Sequence, residues 1–333
     1  MEHMRLAIGQ FSELTHEKLT FARQLGVGGV QLNTPVLPTD AGYWQLDDLR
    51  WLKARAEGYG LRLEALENVP IQFLDKAMLG LPGRDQQIEN YQKTIRNMGA
   101  AGIPILGYNW MPNGVWRTSR TAPGRGGAWV TAFHADRVRT QDDLVHGAHT
   151  LEVLEGRTIS EAEMWENYTY FTRAVLPVAE EAGVRLALHP DDPPLPSLGG
   201  VARLFYHFEG FRRAMEDVAP SPYHGLDFCL GCFSEMCENL LETVRYFGAR
   251  GKIFYVHFRD VKGCADSFEE CFLGEGNYDP VQVMRTLKEV GFTGFILDDH
   301  VPHLIDDSQW GHRGRAHETG FIKGLLEAVN KLC

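Results

Sequence analysis

Eight short apolar runs alternate with eight helical patterns along this chain, and that alternation constrains its fold more than any other feature. The runs are Arg5–Gly9, Gly29–Leu32, Leu61–Leu66, Ile103–Tyr108, Arg185–His189, Gly225–Cys229, Lys252–His257 and Thr293–Leu297. They are rich in Val, Ile, Leu and Phe and do not alternate strictly with polar residues. That pattern suits strands buried on both faces of a parallel sheet. Helical patterns cover Thr15–Leu25, Gln45–Tyr59, Arg84–Ala101, Glu161–Ala182, Phe208–Val218, Met236–Phe247, Pro280–Val290 and Thr319–Val329. Gly26, Gly102 and Gly183 stand just past three of them, where a helix stop is expected. Strand then helix, repeated eight times without a long polar linker, predicts an α/β fold. The expectation is a single (β/α)8 TIM barrel, one domain over residues 1–333.

The 333 residues and 44% hydrophobic content suffice for one such core. The net charge of −11 comes without a basic run or a Lys/Arg stripe, which argues against nucleic acid as a partner. No apolar stretch approaches the roughly 20 residues of a membrane span. The start, Met1-Glu2-His3-Met4, lacks the basic and apolar regions of a secretory signal. A cytoplasmic, reduced protein is expected, with the cysteines at 229, 232, 237, 264, 271 and 333 as free thiols or metal-bound. No nucleotide fingerprint is present, and Gly124–Gly127 has neither the spacing nor the following helix of a phosphate loop.

One long interruption breaks the alternation. Residues 109–160 carry no clear helix or strand and follow the fourth run, which places them on the face where barrel enzymes keep their chemistry. A lid or site wall over the C-terminal face is expected. Trp110, Trp116 and Arg117 lie in its first part.

Four potential metal ligands end four consecutive runs: His189, Cys229, His257 and, two residues past the last, Asp299. Strand ends five to eight of a barrel converge at one mouth, so the four are expected to meet. Two imidazoles, a thiolate and a carboxylate suit Mn²⁺, Fe²⁺, Co²⁺ or Zn²⁺, and not the all-oxygen ions Mg²⁺ and Ca²⁺. Cys229-Leu-Gly-Cys232 also has the form of half a zinc knuckle, but no second pair completes one. In His189-Pro-Asp-Asp-Pro-Pro194 the prolines stiffen a turn that would hold Asp191 and Asp192 near the metal, one of them orienting a ligand imidazole. Asp298-Asp299-His300 places a candidate acid–base group, His300, beside a ligand. Arg259 is expected to clamp a substrate carboxylate, with Lys262 adding charge nearby.

This set resembles the mannonate dehydratase family over nearly the whole chain. The most specific stretches are Gly107-Tyr-Asn-Trp-Met-Pro112, His189-Pro-Asp-Asp-Pro-Pro194, Phe228-Cys229, His257-Phe-Arg259 and Asp299-His300. The resemblance implies a metal-dependent TIM barrel using Mn²⁺ or Fe²⁺, with His189, Cys229, His257 and Asp299 as ligands and His300 as a catalytic histidine. It implies removal of water from D-mannonate to give 2-keto-3-deoxy-D-gluconate. The chain departs from the family at Leu297-Asp-Asp-His-Val301, and its last tyrosine is Tyr278, where the family has one nearer the C-terminus. His317 lies near that place and is the expected stand-in, with Asp191 next in line. Asn109, Trp110, Arg117, Asp192 and Lys262 are the expected substrate-binding residues, around a small sugar acid, in a homo-oligomer of two or more copies. The alternative is a metal-dependent isomerase or epimerase of the xylose-isomerase-like class. A non-catalytic sugar-acid-binding protein is the third reading.

Overall fold

The computed structural model describes residues 3–140, 143–145 and 156–332. Eight parallel strands close a barrel in the order β1-β14-β11-β10-β7-β4-β3-β2. They are β1 (Arg5–Ile8), β2 (Gly29–Asn33), β3 (Arg62–Glu67), β4 (Ile105–Tyr108), β7 (Arg185–Leu188), β10 (His224–Cys229), β11 (Ile253–Phe258) and β14 (Phe295–Asp298). The remaining strands belong to insertions: β5 (Ser119–Pro123), β6 (Trp129–His134), the two-residue β8 (Ser197–Leu198) and β9 (Val201–Ala202), and β12 (Asp260–Cys264) with β13 (Ser267–Cys271). All eight runs read from the sequence are barrel strands, shifted at their ends by a residue or two. Among the described residues no helix is long and apolar enough to cross a membrane.

The barrel interior is filled by alternating small and large side chains. Ala7, Ala65 and Ala187 surround the stacked rings of Tyr255 and Phe295, whose centroids lie 4.8 Å apart. A side chain on Gly107 would run into the Tyr255 hydroxyl, so this strand position accepts only hydrogen. Outside the strands, the helices bury one stripe each. In the helix Arg84–Ala101 the stripe is Ile88, Tyr91, Ile95 and Met98, at three- and four-residue spacing. The glycine that ends it, Gly102, has φ 71°, the left-handed stop that its position suggested. Truncating a fully buried residue such as Ile95 to Ala is expected to cost about 2–5 kcal/mol.

Two expectations are corrected here. Residues 109–160 do carry strands: β5 and β6 pair antiparallel, and β6 pairs with β13 of a second insertion, giving the sheet order β12-β13-β6-β5. The pairing is with a segment more than a hundred residues away, so no local pattern announced it. Residues 141–142 and 146–155 of the interruption lie outside the described residues. The cysteines are not all free thiols. Cys237, in the loop after the short helix Leu230–Glu235, forms a disulfide with Cys264 at the end of β12, their Cα atoms 5.8 Å apart. The β12–β13 hairpin folds back over that loop and brings together two residues with unremarkable sequence surroundings. Cys229, Cys232 and Cys271 remain buried thiols.

Candidate metal centre

The four residues that end strands converge. Cys229 closes β10 and pairs in register with His257 of β11. His257 lies two residues after Tyr255, so both rings face the barrel interior. His189 follows β7 with its backbone N–H on the Tyr108 carbonyl at 2.8 Å. Asp299 follows β14. Donor atoms of Cys229, His257 and Asp299 all lie within 4.8 Å of one another, as do those of His189, Cys229 and Cys232. The His189 and His257 rings are 5.5 Å apart between centroids.

These residues fit a divalent transition metal. Neither buried ring nitrogen of His257 makes a hydrogen bond, although the Glu67 and Asp227 carboxylates stand 3.3 and 3.6 Å from them; an imidazole so placed is completed by a ligand or by protonation. Burial opposes ionisation of Cys229, yet hydrogen bonding from Cys232 and the positive Arg259 beside it hold its thiol well below the usual range. A thiolate is the form that binds metal. His189 Nδ1 lies 2.7 Å from the Pro190 carbonyl, so its orienting partner is its neighbour's backbone, not a carboxylate as expected.

Two carboxylates inside the barrel escaped the sequence reading. Glu67 ends β3 with Oε2 3.3 Å from His257 Nε2, and Asp227 Oδ1 lies 3.6 Å from His257 Nδ1. Burial pushes Asp227 up to about 8. Glu67 followed an apolar run in the same manner as the candidate ligands, which was signal enough to find it. Asp227 stood two residues before Cys229, on the same face of the strand.

A layer of charge surrounds the cluster. Arg117 grips Asp192 with both terminal nitrogens, at 2.6 and 2.8 Å, and reaches Glu270 at 3.0 Å. Arg259 bonds Asp192 and Glu270 at 3.0 Å each and Glu235 at 2.8 Å, and its Nε stands 3.6 Å from Asp299. Both guanidinium groups are buried and already paired, so neither is placed as a free clamp for a substrate carboxylate. Asp192 is their counter-ion and not a group facing substrate. Asp191 is likewise engaged, by Arg203 at 3.1 Å and the Phe205 backbone N–H at 2.6 Å. Glu270 comes from the β12–β13 hairpin and Glu235 from the helix after Cys229; neither had a signal in the sequence pattern.

His300 meets this layer on its solvent side. Its Nδ1 lies 2.7 Å from Glu270 Oε1 and its Nε2 3.8 Å from Asp299 Oδ1, with the side chain 35% exposed. Burial draws its pKa down, but the Asp299 and Glu270 carboxylates prevail and raise it.

Three further expected site residues sit elsewhere. Trp110 is buried behind the barrel, packed edge-on against Tyr168 with its indole N–H directed to the Met164 sulfur. Lys262 is exposed on the hairpin and pairs with Glu275 at 3.6 Å. His317 packs edge-on against Phe272 and lies 3.5 Å from Glu318. It rides on the helix His312–Leu332, whose turn at that residue packs on Phe272, just past the hairpin. Asn109 does face the mouth: it bonds Asn68 at 2.8 Å and lines a cavity of about 470 Å³ with Asn33, Asn68, Tyr108 and Met111.

The chain matches the family described as D-mannonate dehydratase (UxuA) over residues 4–333. It is 34% identical over 342 residues to a mannonate dehydratase of Thermotoga petrophila, covering 92% of this chain and 91% of that one. It is 30% identical over 354 residues to mannonate dehydratase 2 of Halalkalibacterium halodurans, covering 98% and 100%. The crystal structure of mannonate dehydratase from Streptococcus suis serotype 2 superposes with a TM-score of 0.87 at 30% identity, over 99% of this chain and 95% of that one. A structure of L-ribulose 3-epimerase, at 16% identity and TM-score 0.61 over 98% and 96% of the chains, shares the fold alone.

Proposed function

Because this chain belongs to the D-mannonate dehydratase family, we propose that it is a metal-dependent hydro-lyase that converts D-mannonate to 2-keto-3-deoxy-D-gluconate and water. The observation that carries the reading is the convergence of His189, Cys229, His257 and Asp299 at the barrel mouth, beside a cavity that carries three asparagines on a largely apolar wall. These four would hold the metal, and we take Mn²⁺ or Fe²⁺ as the native ion. When bound, it supplies positive charge where the substrate carboxylate becomes more negative as the adjacent proton leaves.

The chain's own residues move the proton. His300 Nδ1 lies 2.7 Å from Glu270 and 3.2 Å from Arg259 Nη1; with its proton donated to the closer Glu270, Nε2 is the accepting nitrogen, on the side of Asp299. It takes the proton from C2 of the substrate. The C2–H electrons form the C2=C3 bond, and the C3 hydroxyl departs with a proton as water. The enol then tautomerises to the 2-keto acid. The imidazolium formed in the first half is the proton source for the second, since Asp191 is committed to Arg203 and His317 to the helix surface. Asn33, Asn68 and Asn109 offer amide groups to the chain hydroxyls in the cavity beside Glu67.

The test is 2-keto acid formation from a panel of aldonic acids by the Mn²⁺- or Fe²⁺-loaded protein. Turnover highest with D-mannonate is expected. Solvent deuterium exchange into a sugar without 2-keto acid formation would instead point to the isomerase or epimerase alternative, which the family relationship does not favour.

A further inference from the structure

A second cavity, of about 490 Å³, opens beside the one just described and is lined by Gln10, Ser12, Lys18, Asn33, Gln309 and Trp310. Asn33 lines both cavities, so they adjoin. On one side, Asn33 Nδ2 lies 3.5 Å from Glu67, which stands against the ligand His257. On the other, Trp310 lies beneath the Arg315 guanidinium, 4.8 Å from its ring centroid, and Arg315 bonds the Asp299 carbonyl at 3.0 Å. The cavity wall is therefore linked to the metal cluster through Glu67 on one flank and through Arg315 on the other.

Lys18, the one cation among the described residues that line the cavity, is unusual in its placement. Lys18 lies in the first turn of the helix His16–Leu25, its backbone N–H donated to the capping Thr15 hydroxyl at 3.2 Å. The helix dipole disfavours a cation there. Its ammonium is set over two aromatic rings, 5.3 Å from the Phe11 centroid and 5.6 Å from that of Trp310. Among the described residues, no carboxylate forms an ion pair with it; Glu17, one residue away, turns to His312 at 3.3 Å. Burial against the rings lowers its pKa from the usual range, with Glu13 and Glu17 opposing. A partly desolvated ammonium over aromatic walls, among the amides of Gln10, Asn33 and Gln309, is a receptor for an oxygen-rich anionic group on a carbon chain.

We propose that this cavity receives the end of the sugar-acid chain remote from the reacting carbons, and that Lys18 makes the site accept a terminal carboxylate there, extending its substrate class from aldonic to hexaric acids. The orientation rests on the dehydratase reading above, which places the reacting carboxylate at the metal. Phe11 and Trp310 would pack on the chain carbons, and the amides would bond the last hydroxyls.

The experiment is calorimetric titration of the metal-loaded protein with D-mannaric acid and with D-mannonate, for the unmodified chain, Lys18→Met and Lys18→Arg. Binding of the diacid at least tenfold tighter than D-mannonate is expected in the unmodified chain. That ratio should collapse toward one in Lys18→Met and persist in Lys18→Arg. Metal content measured on each variant shows that the fold and cluster are intact. An equal ratio in the unmodified chain and in Lys18→Met overturns the inference. Failure of the unmodified, metal-loaded chain to dehydrate any aldonic acid overturns the dehydratase reading instead, and the titration still decides whether Lys18 selects the diacid.

Discussion

The Glu270 carboxylate, carried on a hairpin outside the barrel, lies 2.7 Å from Nδ1 of His300. The same oxygen accepts from Arg117 and Arg259 at 3.0 Å each. One insertion residue thus orients the proposed proton carrier and ties it to the buried arginines. Glu270→Gln is expected to lower kcat by about tenfold or more, up to the roughly 10²–10⁴ that outright loss of an acid–base group costs. In a His300→Asn background the same replacement should cost little more, because its effect on catalysis passes through the imidazole. Additive losses in that double-mutant cycle would separate Glu270 from His300. Stability should fall as well, by about 3–5 kcal/mol, since a buried ion network loses one of its charges.

Metal binding divides the buried polar residues into two groups. Cys229→Ala and His257→Ala remove donors from the cluster in which the atoms lie within 4.8 Å of one another. Both should lose metal by more than the roughly 10–100-fold typical of a supporting residue. Glu67→Gln, acting on His257 from 3.3 Å, should fall within that lower range. Metal content by elemental analysis, after dialysis against a weak chelator, checks all three. Full metal in both donor variants would contradict the assigned centre.

The strands and the four strand-end donors were legible because both signals are local. A buried parallel strand is a short apolar run, and the residue that follows it faces the barrel mouth. The counter-ions were not legible for the converse reason. Asp192, Glu235 and Glu270 reach Arg259 from segments separated by 67, 24 and 11 residues. Nothing in Arg259's own neighbourhood distinguishes an arginine awaiting substrate from one already neutralised. Trp110 failed similarly: beside Asn109 on the same strand end, it points the opposite way, into the helix layer. The four-stranded insertion sheet joins two loops whose strands only make sense together.

The Cys237–Cys264 disulfide closes a span of 27 residues that contains the helix Leu240–Ala249, β11 and β12. A cross-link of that span stabilises the folded state by about 3 kcal/mol when loop entropy governs. Cys237→Ser with Cys264→Ser is expected to lower the Tm, and treatment with a thiol reductant should lower that of the unmodified chain by the same amount. A reductant that shifts the double variant equally would mean that the effect comes from other thiols.

His224 offers a pH test away from the metal. Its Nε2 lies 3.0 Å from the Tyr108 hydroxyl and 3.1 Å from that of Tyr168, and its Nδ1 3.0 Å from the Ala219 carbonyl. The neutral ring satisfies all three, with Nδ1–H donating and Nε2 accepting. Burial lowers its pKa from 6.5 to about 4, although the Ala219 bond opposes this. As pH falls below 6.5 the unfolded chain therefore takes up the proton first. The contribution is present above that pH and is lost as pH falls through about 4, to a limit of about 3 kcal/mol. His224→Gln should be less stable at pH 7 and show a shallower loss between pH 6.5 and 4 in urea unfolding. Parallel curves for the two proteins would show that His224 is not the titrating group.

His300 and His317 were the two histidines expected to share proton transfer, and the fold separates them. His300 has one nitrogen on Glu270 and the other toward Asp299, whereas His317 lies against Phe272 on a helix surface with its side chain 39% exposed. Burial and the nearby Arg125 lower the His317 pKa, whereas the Asp299 and Glu270 carboxylates raise that of His300. His300→Asn should retain metal and fold while losing roughly 10²–10⁴ in kcat. His317→Ala should lose less than about tenfold, through packing against Phe272 alone, and His317→Tyr should behave the same way. If His317→Ala is inactive while metal-loaded, and His317→Tyr recovers turnover with a pH optimum shifted upward, the helix must close over the site during the reaction. The leaving hydroxyl would then take its proton from residue 317 and not from the His300 imidazolium.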